Sequence, residues 1–254
     1  MSKVADILQT FTPISLAEMD AVKLMDRTDT KFVFSAQLLP SILEELKGDF
    51  RVLEVEGVRQ SRYETLYFDT PDFQFYHRHQ TKKLNRYKVR ARKYVESDIN
   101  FLEIKFKNIK GRTVKERIKT SEINQFFEAH QEEAKFIERK TGVACERIQP
   151  ALWVNYNRIT LVNNNHSERL TIDIGLNFEW EGQIADYDFL VIAELKQGKA
   201  ERSVFSGVAK AHSIREGGFS KYCIGIASLH PEIKQNNFKP KFHYINKLKG
   251  NVYV

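Results

Sequence analysis

The residues in this chain best suited to chemistry are basic, and they recur at every second position. Between Leu84 and Tyr94, Arg86, Lys88, Arg90 and Arg92 alternate with Tyr87, Val89 and Ala91. Side chains of a β-strand point to opposite faces with a period of two, so one face of this segment carries four cations. In the next segment Glu103, Lys105 and Lys107 oppose Leu102, Ile104 and Phe106, and after it Lys115, Arg117 and Lys119 share a face. The second half repeats the arrangement with Tyr156, Arg158 and Thr160, then Arg169, Thr171 and Asp173, then Glu194 and Lys196. On these six faces twelve basic residues meet three acidic ones, a net of +9 against +7 for the whole chain. The basic excess therefore resides on one side of a sheet, and the chemistry open to it is the binding of anions.

A solvated sheet face is the ordinary reason for such alternation. Two features argue for more. Solvated faces mix signs, because like charges directly opposite across strands repel. The chain's helical segments also carry apolar residues, and the apolar face of the sheet would cover them. If the sheet then closes, the charged face becomes an interior, where net positive charge is costly unless the space is wet or holds an anion. At an effective dielectric of about 20 a close charge pair is worth about 4 kcal/mol, so several Lys and Arg around one triphosphate would bind it strongly. Glu103 and Glu194 project toward this basic face from different halves of the chain. A divalent cation such as Mg²⁺ or Mn²⁺, held by one or two carboxylates plus phosphate oxygens, would account for them. Simple neutralisation of neighbouring lysines would do so equally, and charge alone leaves both readings open.

The elements that must position these groups are mostly strands, expected at Arg62–Asp69, Leu84–Tyr94, Asn100–Lys107, Arg112–Lys119, Leu152–Val162, Arg169–Leu176 and Phe189–Lys196. The first 25 residues read as helical, with a capping box at Ser15 and Glu18. Ser35 suits the N-cap of a helix through about Lys47, and Pro40 favours a later start. Further helices are expected over about Ser121–Lys140, with Phe126, Phe127, Phe136 and Ile137, and over about Arg202–Arg215. The tail from Pro231 is basic and aromatic without a clear period. Without repeats or a Gly/Ser linker, residues 1–254 read as one domain, with a helical segment over about 1–26 and a basic tail over about 231–254.

At 42% hydrophobic residues, with 18 Phe and 10 Tyr, the chain can bury a sizeable core and is not disordered by composition. The moderate basic excess allows nucleic acid, an anionic surface or a small polyanion as partner. Cys145 and Cys223 lie far apart without CxxC spacing, which speaks against a disulfide framework or a zinc site. Met1 to Phe11 lacks the order of a secretion signal, and no apolar stretch is long enough to span a membrane. A cytoplasmic location is the expectation.

The ordered set Arg27-Thr-Asp-Thr-Lys31-Phe, Tyr67-Phe-Asp69, Arg90-Ala-Arg92, Glu103-Ile-Lys105, Lys115-Glu-Arg117, Tyr156-Asn-Arg158, Arg169, Glu194-Leu-Lys196 and Phe219-Ser-Lys221-Tyr resembles the VTC domain. That is the polyphosphate-polymerase branch of the triphosphate tunnel metalloenzymes, and the match spans about Arg27 to Lys221. The resemblance implies an α+β fold: a closed eight-stranded antiparallel β-barrel with helices packed outside. It further implies Mn²⁺ or Mg²⁺ as cofactor, and ATP and inorganic polyphosphate, or other triphosphates, as ligands. Nucleic acid is not expected. Carried over residue by residue, Arg90, Arg92, Lys105, Arg158 and Lys196 would form the catalytic centre. Lys31, Lys115, Tyr156, Arg169 and Lys221 would contact phosphates, and Glu194, with Glu103, would hold the metal. The Glu-x-Glu-x-Lys signature of the thiamine-triphosphatase and adenylyl-cyclase branch is absent, with Asp29-x-Lys31 in its place. The implied reaction is transfer of the ATP γ-phosphoryl group to a growing polyphosphate chain, with triphosphate hydrolysis or polyphosphate binding alone as alternatives.

Overall fold

The structure is a computed structural model that describes residues 2–21, 27–123, 131–198 and 203–250. The chain begins with α1 (Ser2–Gln9), β1 (Pro13–Ile14), α2 (Leu16–Ala21), β2 (Arg27–Ser35), α3 (Leu39–Leu46), β3 (Phe50–Leu53) and β4 (Ser61–Asp69). It continues through α4 (Gln74–Gln80), β5 (Arg86–Tyr94), β6 (Ile99–Lys107), β7 (Thr113–Lys119), α5 (Gln131–Thr141) and β8 (Gln149–Asn163). Last come β9 (Glu168–Trp180), β10 (Gln183–Tyr187), β11 (Leu190–Gly198), α6 (Val204–Ala211), α7 (Lys221–Leu229) and α8 (Lys239–Gly250).

Local chemistry explains several of these boundaries. The Ser15 hydroxyl accepts from the Glu18 N–H at 3.3 Å while the Glu18 carboxylate accepts from the Ser15 N–H at 2.9 Å, the reciprocal bonds of a capping box at the start of α2. Ser35 caps a short 3₁₀ turn, and α3 starts later, with Pro40 in its first turn, where no backbone N–H is needed. The seven anticipated strands form β4 to β9 and β11. Four further strands are unanticipated: β1 lies within the first 25 residues, read as helical, β2 and β3 flank the expected Ser35–Lys47 helix, and β10 lies between two expected strands. In the expected Ser121–Lys140 helix, 121–123 are not helical, 124–130 lie outside the described residues, as do Arg202, 22–26 and 251–254, and the helical part described is α5. Most of the tail folds into α8, fixed by Tyr244, which donates to the Val33 carbonyl at 2.8 Å, and by Ile245 in the core.

Eight strands follow one hydrogen-bonded path, β2-β11-β9-β8-β4-β5-β6-β7, with β1, β3 and β10 attached beside it. Every pair on the path is antiparallel. The expected closure into a barrel does not occur, because β2 and β7 do not pair. The edge of β2 is occupied instead: Phe32 bridges Glu216, and Gly217 donates to the Lys31 carbonyl at 2.8 Å. Backbone groups already bonded to this strap are unavailable to β7. The path nevertheless curls, since Lys105 on β6 lies near enough to Glu194 on β11 for the carboxylate to favour its charged form.

Apolar residues of the convex face, among them Phe32, Phe34, Leu161 and Ile172, pack against α1, α3 and α6. Those of β4, β5 and β6 pack against Phe75 of α4 and Phe136 and Ile137 of α5. One helix breaks the expectation that helices lie outside. Nearly all of α7 is buried, against Leu152, Val154, Tyr156 and Ile192, which share the face of the charged residues. One end of the concave face is thus apolar and needs a cover. The packing is close: a Cβ at Gly225 would lie 2.5 Å from Leu152 and 2.6 Å from Phe178, so only glycine fits. A bulge at Gly175 (φ +60°), where the β8–β9 register shifts, turns Leu176 and Phe178 toward this end.

Candidate active site on the concave face

Strand register decides which charges meet. Arg90 faces Glu103, which faces Arg117, and Glu103 is fully buried. Arg90 donates from Nε and Nη2 to Glu103 Oε2 at 2.8 and 2.6 Å, and from Nη1 to the Tyr67 hydroxyl at 3.1 Å. Lys115 pairs with the other oxygen of Glu103, and Arg92 stands 4.0 Å off. Burial would push the Glu103 carboxyl up, but Arg90, Arg92 and Lys115 hold it well below the usual carboxylate range.

Across the trough Arg158 grips Asp173 with two bonds, Nε to Oδ1 at 2.6 Å and Nη2 to Oδ2 at 2.8 Å. Lys221, from the first turn of α7, pairs with the same carboxylate. Glu194 faces Lys31 in register and pairs with Lys196 at 3.1 Å. Burial pushes this carboxyl up, and the charges of Lys31 and Lys196 outweigh it, holding it at about 2. Lys31 itself donates to the Phe219 carbonyl at 3.5 Å.

Aromatic rings space these cations. Tyr63 and Tyr156 stack with centroids 5.2 Å apart, and the Arg158 guanidinium lies 4.9 and 5.4 Å from the two rings. Arg92 lies 5.3 and 5.8 Å from the same pair, and the Lys221 ammonium is 4.3 Å from Tyr156. The Tyr156 hydroxyl is buried with no hydrogen-bond partner among the described residues. Burial raises its pKa to about 12, so it stays a donor aimed at nothing the protein supplies.

The cations are crowded. Repulsion from Arg90, together with burial, brings Lys105 down to about 6. Burial brings Lys221 to about 8, with Asp173 opposing the shift. A polyanion in the trough would restore both ammoniums. Binding of tripolyphosphate near neutral pH should therefore take up protons, and affinity should rise as pH falls from about 8 toward 6. Calorimetry in buffers of different ionisation enthalpy would measure the uptake. Lys105→Arg, which stays charged, should reduce it, and uptake unchanged in that variant would refute the assignment.

The structure gathers Arg90, Arg92, Lys105, Arg158, Lys196, Lys31, Lys115, Tyr156, Lys221, Glu103 and Glu194 around one concave surface. Arg169 lies directly opposite Lys196 on the same face, where it donates to the Met19 carbonyl of α2 at 2.9 Å. Sequence reasoning missed Tyr63 and Thr65 and gave no role to Tyr67 of the Tyr67-Phe-Asp69 pattern; all three share the concave face of β4 but carry no charge to flag them. It also left Asp173 and Lys88 without roles, although both lie on the charged faces. Asp69 of the Tyr67-Phe-Asp69 pattern is structural: its carboxylate accepts from the Phe75 and Tyr76 N–H groups at 2.8 and 2.9 Å and from the Tyr222 hydroxyl, tying α4 to α7.

Among the described residues no three His, Cys, Asp or Glu side chains form a ready metal cage. Glu103 and Asp173 are engaged by cations on both oxygens. Glu194, with one lysine partner and a side chain 26% exposed, is the carboxylate that fits a hard divalent ion whose other ligands are phosphate oxygens.

A family model described as the VTC domain matches residues 26–230. No match is found among curated proteins. Among solved structures, a candidate adenylyl cyclase from Hippeastrum, described as having a dominant triphosphatase activity, superposes with a TM-score of 0.55 at 15% identity, covering 80% of this chain and 96% of its own. A candidate adenylate cyclase from Bacillus halodurans gives 0.49 at 18% identity, covering 77% and 96%. At such identity the Hippeastrum likeness is one of fold.

Proposed function

The chain belongs to the VTC domain family, and from that premise we propose that its concave face is the active site of a polyphosphate polymerase, transferring the ATP γ-phosphoryl group to the end of a growing chain. The observation that carries this reading is the set of groups awaiting an anion: the partnerless Tyr156 hydroxyl among Arg92, Arg158 and Lys221, and Lys105 held at about 6 by its neighbours.

Phosphoryl transfer asks for position and charge more than for covalent help. Arg92 and Arg158, with planar guanidinium forks, would hold oxygens of the transferred group. Lys31, Lys105, Lys196 and Lys221 would act as point charges along the chain, and Tyr156 would donate to an oxygen between them. Glu194 would hold Mn²⁺ or Mg²⁺ together with phosphate oxygens, and such an ion when bound neutralises phosphate charge. The acceptor end of polyphosphate is already ionised, so no base is needed. This suits the site, because its carboxylates are held strongly ionised and are poor bases.

One observation favours hydrolysis as a second reading. Burial would raise the Tyr67 phenol, but Arg90, Lys88 and Arg92 draw it down to about 8, within range of a base for water. The two separate on incubation of the protein with ATP and Mn²⁺, with and without short polyphosphate primer, followed by gel and ³¹P NMR. A polymer ladder is the expected result. Orthophosphate without polymer, lost in Tyr67→Phe, would replace transfer by hydrolysis. If tripolyphosphate binds but neither product forms, the enzymatic claim falls.

A further inference from the structure

Two successive cross-strand pairs on the concave side of β5 and β6 set like charge directly against like charge: Lys88 faces Lys105, and Arg86 faces Lys107. Such pairs weaken a sheet, whereas the next pair along, Arg90 with Glu103, is neutralised. Among the described residues no carboxylate pairs with Arg86, Lys88 or Lys107. Lys88 donates to the Ser220 hydroxyl at 2.9 Å, and Arg86 donates to the Lys83 carbonyl at 2.8 Å while its Nε is buried without a partner. Burial and repulsion from Lys88, Arg86 and Lys107 hold the nearby His79 ring at about 2. Its buried Nε2 also lacks a partner among the described residues.

The cluster continues the site toward the β6–β7 turn, where Lys110 and Arg112 are exposed. Arg90 lies four steps along β5 from Arg86, about 13 Å at the rise of a strand, so cations along that length suit a linear ligand. Among the described residues, the aromatic side chains of β5 and β6 at this end do not face the trough. Tyr87 and Phe106 stack on each other with centroids 4.7 Å apart, and both belong to the opposite face.

We propose that Arg86, Lys88 and Lys107, with the Ser220 hydroxyl at the start of α7, form a second subsite for linear condensed phosphate, taking the part of a chain that extends beyond three phosphates. The inference rests on the reading of the concave face as a triphosphate site. It can be tested by calorimetry on the whole chain, with tripolyphosphate and with a medium-length polyphosphate fraction, for the native protein and Arg86→Gln/Lys107→Gln. The native protein should bind the longer chain about tenfold more tightly. The double variant should keep its tripolyphosphate affinity and lose most of that gain. A gain that persists in the variant, or an equal gain with a single-stranded oligothymidylate of matched charge, would overturn the subsite and leave the triphosphate site standing. Absence of tripolyphosphate binding to the native protein would remove both. Thermal melts of each protein guard against misfolding. If the double variant melts low, Lys107→Gln alone, at the end of β6, should still shrink the gain, and an unchanged gain there refutes the subsite.

Discussion

Replacing Arg92 with alanine should lower kcat/KM for phosphoryl transfer from ATP by roughly 10²–10³-fold, the range seen when one preorganised charge-stabilising donor is removed. Arg92 is the cleanest probe of the site because the protein makes little use of it. It donates from Nε to the Thr65 hydroxyl at 3.2 Å, stands 4.0 Å from Glu103, and faces the Tyr63 and Tyr156 rings. Loss of that bond should cost about 1 kcal/mol of stability, a modest shift in Tm. Arg90 is a poorer probe, since its fork is committed to Glu103 and its loss would confound catalysis with folding. Arg92→Lys keeps the charge and loses the fork, so it should recover only part of the rate. A folded Arg92→Ala protein with full activity would remove Arg92 from the phosphate-binding set.

Glu103→Gln should destabilise the fold by about 3–5 kcal/mol, the usual cost of breaking a buried ion pair from one side. The carboxylate is fully buried and answers Arg90, Lys115 and, more distantly, Arg92. Without it, neighbouring like charges remain with nothing between them. Its folded pKa is depressed, so its contribution is present above the unfolded value, near about 4.3, and is lost as pH falls through the folded one. Urea midpoints of the native protein and of Glu103→Gln should therefore differ widely at neutral pH and converge in strong acid. A constant difference across that range would show that Glu103 acts through packing.

The charged half of this architecture was legible because β5, β6 and β7 alternate charged with apolar residues so regularly that faces can be assigned by counting. The aromatic half was not. Tyr63 and Tyr67 look like ordinary strand residues until register sets them beside Tyr94 and Arg90. β2 escaped notice because Ser35 is a good helix cap and Arg27–Lys31 mixes charge with threonine; only pairing with β11 brings Lys31 opposite Glu194. α7 was hidden by its own burial, since a helix apolar on nearly every side has no period to read. Failure of the sheet to close goes with the 216–217 segment on the β2 edge, and no local pattern within β2 or β7 records that pairing.

The extra residue at Gly175 divides one strand into two zones with opposite solvent preferences. Before it, β9 offers Thr171 and Asp173 to the ligand side; after it, Leu176 and Phe178 supply the seat for α7. A single-residue deletion there would exchange inside for outside along the rest of β9, sending the seat toward the opposite layer and polar Asn177 beneath the helix. Substitutions upstream of Gly175 need not disturb that seat. The cations upstream of the bulge can thus change while α7 keeps its apolar seat, although Lys221 still depends on Asp173, which lies upstream. The bulge thereby separates a polar wall from an apolar floor within a single strand.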